Sequence, residues 1–136
     1  MRVGLILVLS MSLSAVIACA ATQARSGAED EDRLAAALAG RTAGEAQNCV
    51  SIMGGQALRV IDDRTLLFEE GRTYWVNRLE TPCPGMRPND ALIIEPTGNQ
   101  YCRGDQIRSL DPASRIAGPV CRLEAFIPYR LQDPSR

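Results

Sequence analysis

The side chains best placed to do chemistry are two pairs of adjacent carboxylates, Asp62-Asp63 and Glu69-Glu70. Carboxylate-dependent hydrolysis needs two acids that face each other across a cleft. Because neighbours on an extended chain point to opposite faces, we interpret both pairs as turn residues that flank a strand. The alternative is a small periplasmic hydrolase or lyase, in which Asp62 or Asp63 would meet Asp105.

Histidine and lysine are absent from the 136-residue chain, and all 15 cationic side chains are arginines. This composition excludes a Ser-His-Asp triad, a Cys-His pair, a Schiff base and a phosphate-loop lysine. It also excludes imidazole as a metal ligand. The sequence therefore assigns no catalytic residue, no metal site and no cofactor.

Five cysteines are present, at Cys19, Cys49, Cys83, Cys102 and Cys121. No Cys-x-x-Cys occurs, and the last four are separated by 34, 19 and 19 residues, so the spacing disfavours a metal or redox site. Cys19 lies within the export signal described below. The remaining four are an even number in an exported chain, which predicts two disulfides in any of three pairings.

The amino terminus has the features of a secretory signal. After Met1-Arg2, an apolar run of 15 residues ends at Ile17, which is short for a membrane span of about 20 residues. Residues 16–19 resemble a lipobox with Cys19 as the lipidated residue, and Ala18-Cys19-Ala20 also fits ordinary signal peptidase. We expect a signal peptide over 1–20 and a periplasmic protein that is lipid-anchored, the alternatives being a soluble periplasmic protein or a secreted one.

The rest of the chain changes from a helical to a strand pattern. A polar tether and one short helix are expected over 21–40, because an acidic run precedes an alanine-rich segment that ends at Gly40. A disulfide-linked β domain is expected over 41–130, with a tail over 131–136. Its pattern indicates a mainly β fold, a small antiparallel sandwich or barrel of about five to seven short strands. The expected strands are 56–61, 65–69, 73–79, 91–95, 100–107 and 120–127.

Three aromatic residues and one tripeptide are candidates for ligand contact. Tyr74, Trp75 and Tyr101 are large enough to line a groove, although Tyr74 and Trp75 should point to opposite faces of a strand. Arg103 and Asp105 belong to an Arg-Gly-Asp tripeptide of the kind that integrins bind. We place that tripeptide inside a strand, where Asp105 would bond local backbone or pair with an arginine.

The last third of the chain is mildly basic. Six arginines stand against four acids between Tyr101 and Arg136, although the whole chain carries a net charge of -1, which disfavours a nucleic-acid partner. A solvated, ion-paired face is the favoured interpretation, and contact with anionic lipid headgroups or lipopolysaccharide is the alternative. Five of these six arginines lie within the predicted β domain: Arg103, Arg108, Arg115, Arg122 and Arg130.

Several motifs resemble those of an uncharacterised family of small exported bacterial, proteobacterial, proteins. They are Gly40-Arg41-Thr42-Ala43-Gly44-Glu45, Cys49-Val50, Ile61-Asp62-Asp63-Arg64-Thr65, Tyr74-Trp75-Val76-Asn77-Arg78, Gln100-Tyr101-Cys102-Arg103-Gly104-Asp105 and Phe126-Ile127-Pro128-Tyr129. The resemblance implies an exported β domain and carries no catalytic residue over. It also implies the disulfide pairs Cys49–Cys102 and Cys83–Cys121, because members lacking the second pair keep the first.

The sequence thus favours a non-enzymatic envelope protein that binds or stabilises an unknown envelope component. A further hypothesis is a partner-binding module that uses the loop over 81–88, which carries three prolines and is held by Cys83. Contact with the membrane is expected only through a lipid anchor.

Overall fold

The structure is a computed structural model that describes residues 27–55, 57–96 and 98–132. The predicted signal peptide, Cys19 and the first part of the tether lie outside these residues. One helix, α1, spans 27–37. Ten strands follow: β1 Arg41–Ala43, β2 Cys49–Ser51, β3 Arg59–Val60, β4 Thr65–Glu70, β5 Thr73–Arg78, β6 Ala91–Glu95, β7 Gln100–Cys102, β8 Gln106–Leu110, β9 Cys121–Arg122 and β10 Phe126–Leu131.

The strands form three antiparallel sheets. The largest has the order β1-β10-β5-β4-β3, a second pairs β2 with β7, and a third has the order β6-β8-β9. The mainly β fold is therefore confirmed. The described residues form ten strands rather than five to seven, and they close no barrel.

Hydrophobic residues cover both faces of the large sheet. On one face, Phe68, Trp75 and Phe126 pack against residues of the two smaller sheets, such as Val50 and Ile107. On the other face, a second cluster consists of Leu34, Ile61, Leu67 and Val76, with Ala37, Leu38, Tyr74 and Tyr129 packed against it. The large sheet thus lies between α1 and the smaller sheets.

The predicted helix is confirmed. Leu34 is its buried residue, and Asp30 pairs with Arg33 across 2.9 Å in its exposed first turns. Gly40 has a φ of 70°, a left-handed conformation that favours glycine after a helix end. The chain then enters β1 directly.

Three predicted strands are wrong in extent: the one over 56–61 shortens to β3, Arg59–Val60, and turns interrupt two others. The segment 100–107 divides into β7 and β8, since Gly104 has a φ of 92° and Asp105 Oδ2 accepts a hydrogen bond from the Cys102 amide at 2.8 Å. The Arg-Gly-Asp tripeptide therefore forms a turn and does not lie inside a strand. The segment 120–127 likewise divides into β9 and the start of β10.

Strand β10 continues through Pro128, where the sequence pattern predicted an end. The Pro128 carbonyl accepts a hydrogen bond from the Gly44 amide at 2.8 Å, on the side of the sheet where β1 has just ended at Ala43. The Pro128 nitrogen, which carries no hydrogen, points to that same side. Its lack of a donor therefore leaves the hydrogen bonds between β10 and β5 intact.

The disulfide pairing implied by the family resemblance is confirmed. Cys49 and Cys102 are direct partners across β2 and β7, with Cα atoms 4.0 Å apart. Cys83 is buried in the proline-rich loop and is bonded to Cys121 at the start of β9, with Cα atoms 5.9 Å apart. The second bridge therefore fixes the loop against the core.

Candidate functional site

A cleft of about 1220 Å³ among the described residues is the candidate binding site. It opens between the start of α1, the turn before β4, the end of β5, the proline-rich loop and the segment that leads into β10. Its lining combines apolar residues with charged residues of both signs. The charged residues are Asp30, Glu31, Asp62, Asp63, Arg64, Arg78, Glu80, Arg87, Arg103 and Glu124.

Arg64 forms one wall of the cleft, and its side chain is fixed there by hydrogen bonds to main-chain carbonyls. Its Nε donates to the Leu79 carbonyl at 2.8 Å, and Nη2 donates to the Glu80 carbonyl at 2.7 Å. Its own amide donates to Asp62 Oδ1 at 2.7 Å, the hydrogen bond of an Asx turn. Interpreting Asp62 as a turn residue therefore agrees with the geometry.

A buried asparagine holds the opposite wall. Asn77 is fully buried, donates from Nδ2 to the Glu124 carbonyl at 2.5 Å and accepts from the Glu124 amide at 3.0 Å. The Glu124 side chain in turn lies 2.8 Å from Arg103 Nε. Sequence reasoning missed Asn77, whose only signal was an amide within an otherwise aromatic and β-branched strand.

The proline-rich loop closes one side of the cleft. Met86 is buried in the core and borders the cleft together with Arg87 and Pro88. The Arg87 amide donates to Asp90 Oδ2 at 3.0 Å, and the Cys83 amide donates to the Asp63 carbonyl at 2.7 Å. These bonds and the disulfide at Cys83 set the shape of this wall.

The aromatic candidates are not brought together. Trp75 packs in the core between the sheets and donates from Nε1 to Glu70 Oε2 at 2.9 Å. Tyr74 lies on the opposite face, where Arg41 stacks 3.6 Å from the centre of its ring. Tyr101 packs edge-on against Phe68. Residues 74, 75 and 101 do not line the cleft.

The carboxylates of the hydrolase alternative do not meet either. Asp62 and Asp63 line the cleft, but Asp105 is buried elsewhere, at the turn between β7 and β8. Glu69 forms an ion pair with Arg59 at 2.8 Å. No observation on these residues favours carboxylate catalysis.

One carboxyl group outside the cleft has a shifted pKa. The amides of Ser114 and Ala113 donate to Asp111 Oδ1 at 2.9 and 2.8 Å, and these bonds lower the pKa of Asp111 below its ordinary value of 3.8. Asp111 therefore stabilises the turn after β8.

Within residues 27–55, 57–96 and 98–132, no three acidic or cysteine side chains are grouped so that they could hold a metal ion. The same residues contain no helix long and apolar enough to cross a membrane.

Comparison with known proteins places the chain in a family without assigning an activity. No curated protein and no solved structure matches it. The model of one family, described as a family of unknown function, matches residues 1–130. This span includes every residue that lines the cleft and both disulfides. The chain therefore belongs to the family of unknown function DUF6491.

Proposed function

We propose that this chain is an exported cell-envelope protein whose disulfide-linked β domain binds a partner through the cleft, without catalysing a reaction. The proposed location is the periplasm, with a lipid anchor at Cys19. The partner is an envelope polypeptide that presents charges of both signs.

The cleft is the observation that carries the binding proposal. Its charged lining is held in place before any ligand arrives, by the main-chain bonds of Arg64 and by the buried Asn77 behind Glu124. A preorganised wall costs little conformational entropy on binding. Both signs of charge line the cleft, which suits a polypeptide better than a uniformly charged ligand.

The proline-rich loop supports the same proposal. It contributes Arg87 and Pro88 to the cleft, and the Cys83–Cys121 disulfide holds it to β9. Disulfides persist in oxidising compartments, so the two bridges support the proposed export. The apolar run that ends at Ile17 supports it independently.

Photo-crosslinking in the cells that make the protein tests the binding proposal. In the test variants, a photoreactive amino acid replaces Arg87 or Glu80, which line the cleft. In the matched control, it replaces Arg72 in the exposed turn between β4 and β5. We expect positions 87 and 80 to crosslink to the same polypeptide and position 72 to give none.

A charge reversal makes the test specific. Arg87→Glu combined with the photoreactive group at position 80 should reduce the crosslinked product at least fivefold, whereas Arg72→Glu should leave it unchanged. Equal products at all three positions, or none in the cleft, would contradict partner binding through the cleft.

A further inference from the structure

The outer face of the three-stranded sheet combines exposed aliphatic and cationic side chains. Along β6 and β8, alternate residues turn away from the core, so that Ile93 lies opposite Arg108 and Glu95 lies opposite Gln106. Gln106 also pairs with Arg122 of β9. We call this surface, together with Val120 and the adjoining turn residues Arg115 and Ile116, the outer face.

Its aliphatic side chains are unusually accessible. Ile93 is 42% exposed, Val120 is 52% exposed and Ile116 is 71% exposed. Only two other large hydrophobic residues in the described part of the chain are exposed, Met53 and Leu131. Exposed aliphatic residues concentrated on one surface indicate an interaction site.

Main-chain carbonyls orient two arginines of the outer face, and neither of the two is in an ion pair with a described carboxylate. Arg108 Nε donates to the Gly118 carbonyl at 2.9 Å, and Arg122 Nη1 donates to the Gly104 carbonyl at 2.9 Å. Each guanidinium therefore keeps other donors available for a ligand. The four ion pairs between described residues involve Arg33, Arg59, Arg78 and Arg103.

The net charge of this face is positive. The three cations Arg108, Arg115 and Arg122 stand against Glu95 on the face and Asp111 in the adjoining turn. Asp111 is already bonded to the amides of residues 113 and 114. The available guanidinium groups thus complement an anionic surface.

We propose that the outer face docks on an anionic phospholipid bilayer, with the aliphatic side chains entering the interface and the arginines contacting lipid phosphates. Arginine presents a planar set of donors that matches phosphate oxygens. Apolar burial combined with attraction to anionic lipid is how interfacial segments hold to membranes. The proposal rests on the proposed envelope location and is independent of partner binding in the cleft.

The size of the effect follows from the charges. Each basic residue near an anionic bilayer strengthens binding about fivefold. Loss of three arginines should therefore weaken binding by about a hundredfold when all three contact lipid, and by more than tenfold when two of them do. The attraction is screened over about 10 Å at 0.1 M salt, so binding should also weaken as salt rises.

Vesicle co-sedimentation tests the docking proposal. The full chain is purified as its cells export it, beside a Cys19→Ser version in which an acyl chain cannot contribute. Vesicles contain either phosphatidylglycerol with phosphatidylcholine or phosphatidylcholine alone. We expect the Cys19→Ser protein to bind the anionic vesicles at least tenfold more tightly than the neutral ones.

Two sets of variants locate the binding surface. In the Cys19→Ser chain, the triple variant R108Q/R115Q/R122Q should weaken binding to anionic vesicles more than tenfold. The control triple R33Q/R72Q/R130Q removes the same charge from other surfaces, and it should weaken binding less than threefold. Ile116→Ser should weaken binding and Met53→Ser should not. Thermal unfolding confirms that each variant is folded.

Equal effects of the two arginine triples overturn the proposal, because they indicate a response to total charge alone. Absence of vesicle binding overturns it as well. Neither result affects the crosslinking test of the cleft, so failure of docking and failure of the proposed function are distinguishable.

Discussion

Replacing Asn77 of strand β5 by alanine removes the side chain that pairs with the main chain of Glu124. The substitution leaves the Glu124 amide without its 3.0 Å acceptor and the Glu124 carbonyl without its 2.5 Å donor. A buried polar group that loses its partner costs about 1–3 kcal/mol. Because two such groups are affected, we expect the free energy of unfolding to fall by about 2–6 kcal/mol.

This loss is a large fraction of the free energy of unfolding of a small domain, which is about 5–15 kcal/mol. Urea denaturation followed by tryptophan fluorescence measures it, because Trp75 is buried and is the single tryptophan of the chain. The midpoint should fall while the m value stays unchanged. Asn48→Ala is the matched control, since Asn48 is exposed and its replacement should change stability by less than about 0.5 kcal/mol.

A loss below about 1 kcal/mol for Asn77→Ala, similar to that of the Asn48 control, would refute the reasoning. It would mean that water satisfies the Glu124 main chain equally well. The variant should also weaken the crosslink from position 80, because Asn77 positions the segment that carries the Glu124–Arg103 ion pair.

Three further predictions concern the disulfide, a tightly packed glycine and a titrating turn. Cys83→Ser opens a bridge that spans 38 residues and should lower the free energy of unfolding by about 4 kcal/mol in urea denaturation. Gly55→Ala should destabilise the domain by about 1–3 kcal/mol in thermal unfolding, because the added methyl group would overlap the Phe68 ring, whereas Gly27→Ala meets no atom and serves as control. The carboxyl group of Asp111 should titrate by NMR with a pKa below 3.8, so its contribution to stability is present above pH 3.8 and is lost as pH falls through the lower folded value.

Each of these predictions has an outcome that contradicts it. Equal stability of Cys83→Ser and the oxidised parent would show that the bridge does not constrain the unfolded chain. A Gly55→Ala variant as stable as Gly27→Ala would mean that Phe68 has room to move. A pKa of Asp111 at or above 3.8 would contradict the amide bonds in the turn after β8.

The strands with strong local signals were predicted correctly in position. The predicted turn at 62–64 precedes β4, and the aromatic and β-branched residues of β5 made it the clearest strand. The interpretation of Glu69 and Glu70 as turn residues is wrong, because both lie in β4 and pair with β5. β6 was predicted with its observed bounds, Ala91–Glu95. These elements are determined by residues that are neighbours in the chain, so their pattern is readable without tertiary information.

The parts that were missed depend on distant partners. β1 and β2 are three residues each, and they pair with β10 and β7, which lie far away in the sequence. The cleft could not be predicted for the same reason, because Arg64 meets the Leu79 carbonyl and Asn77 meets Glu124 only in the folded chain. The disulfide pairing likewise came from family resemblance, since spacing alone left three pairings open.

The central claim, an exported domain closed by two disulfides, is tested most directly by the intact mass of the protein isolated from its own cells. The mass is measured with and without reduction, and with alkylation in each case. We predict a chain that begins at lipidated Cys19 or just after Ala20, and that takes up alkyl groups at Cys49, Cys83, Cys102 and Cys121 only after reduction. A chain that still begins at Met1 and alkylates at these four cysteines without reductant would contradict the account.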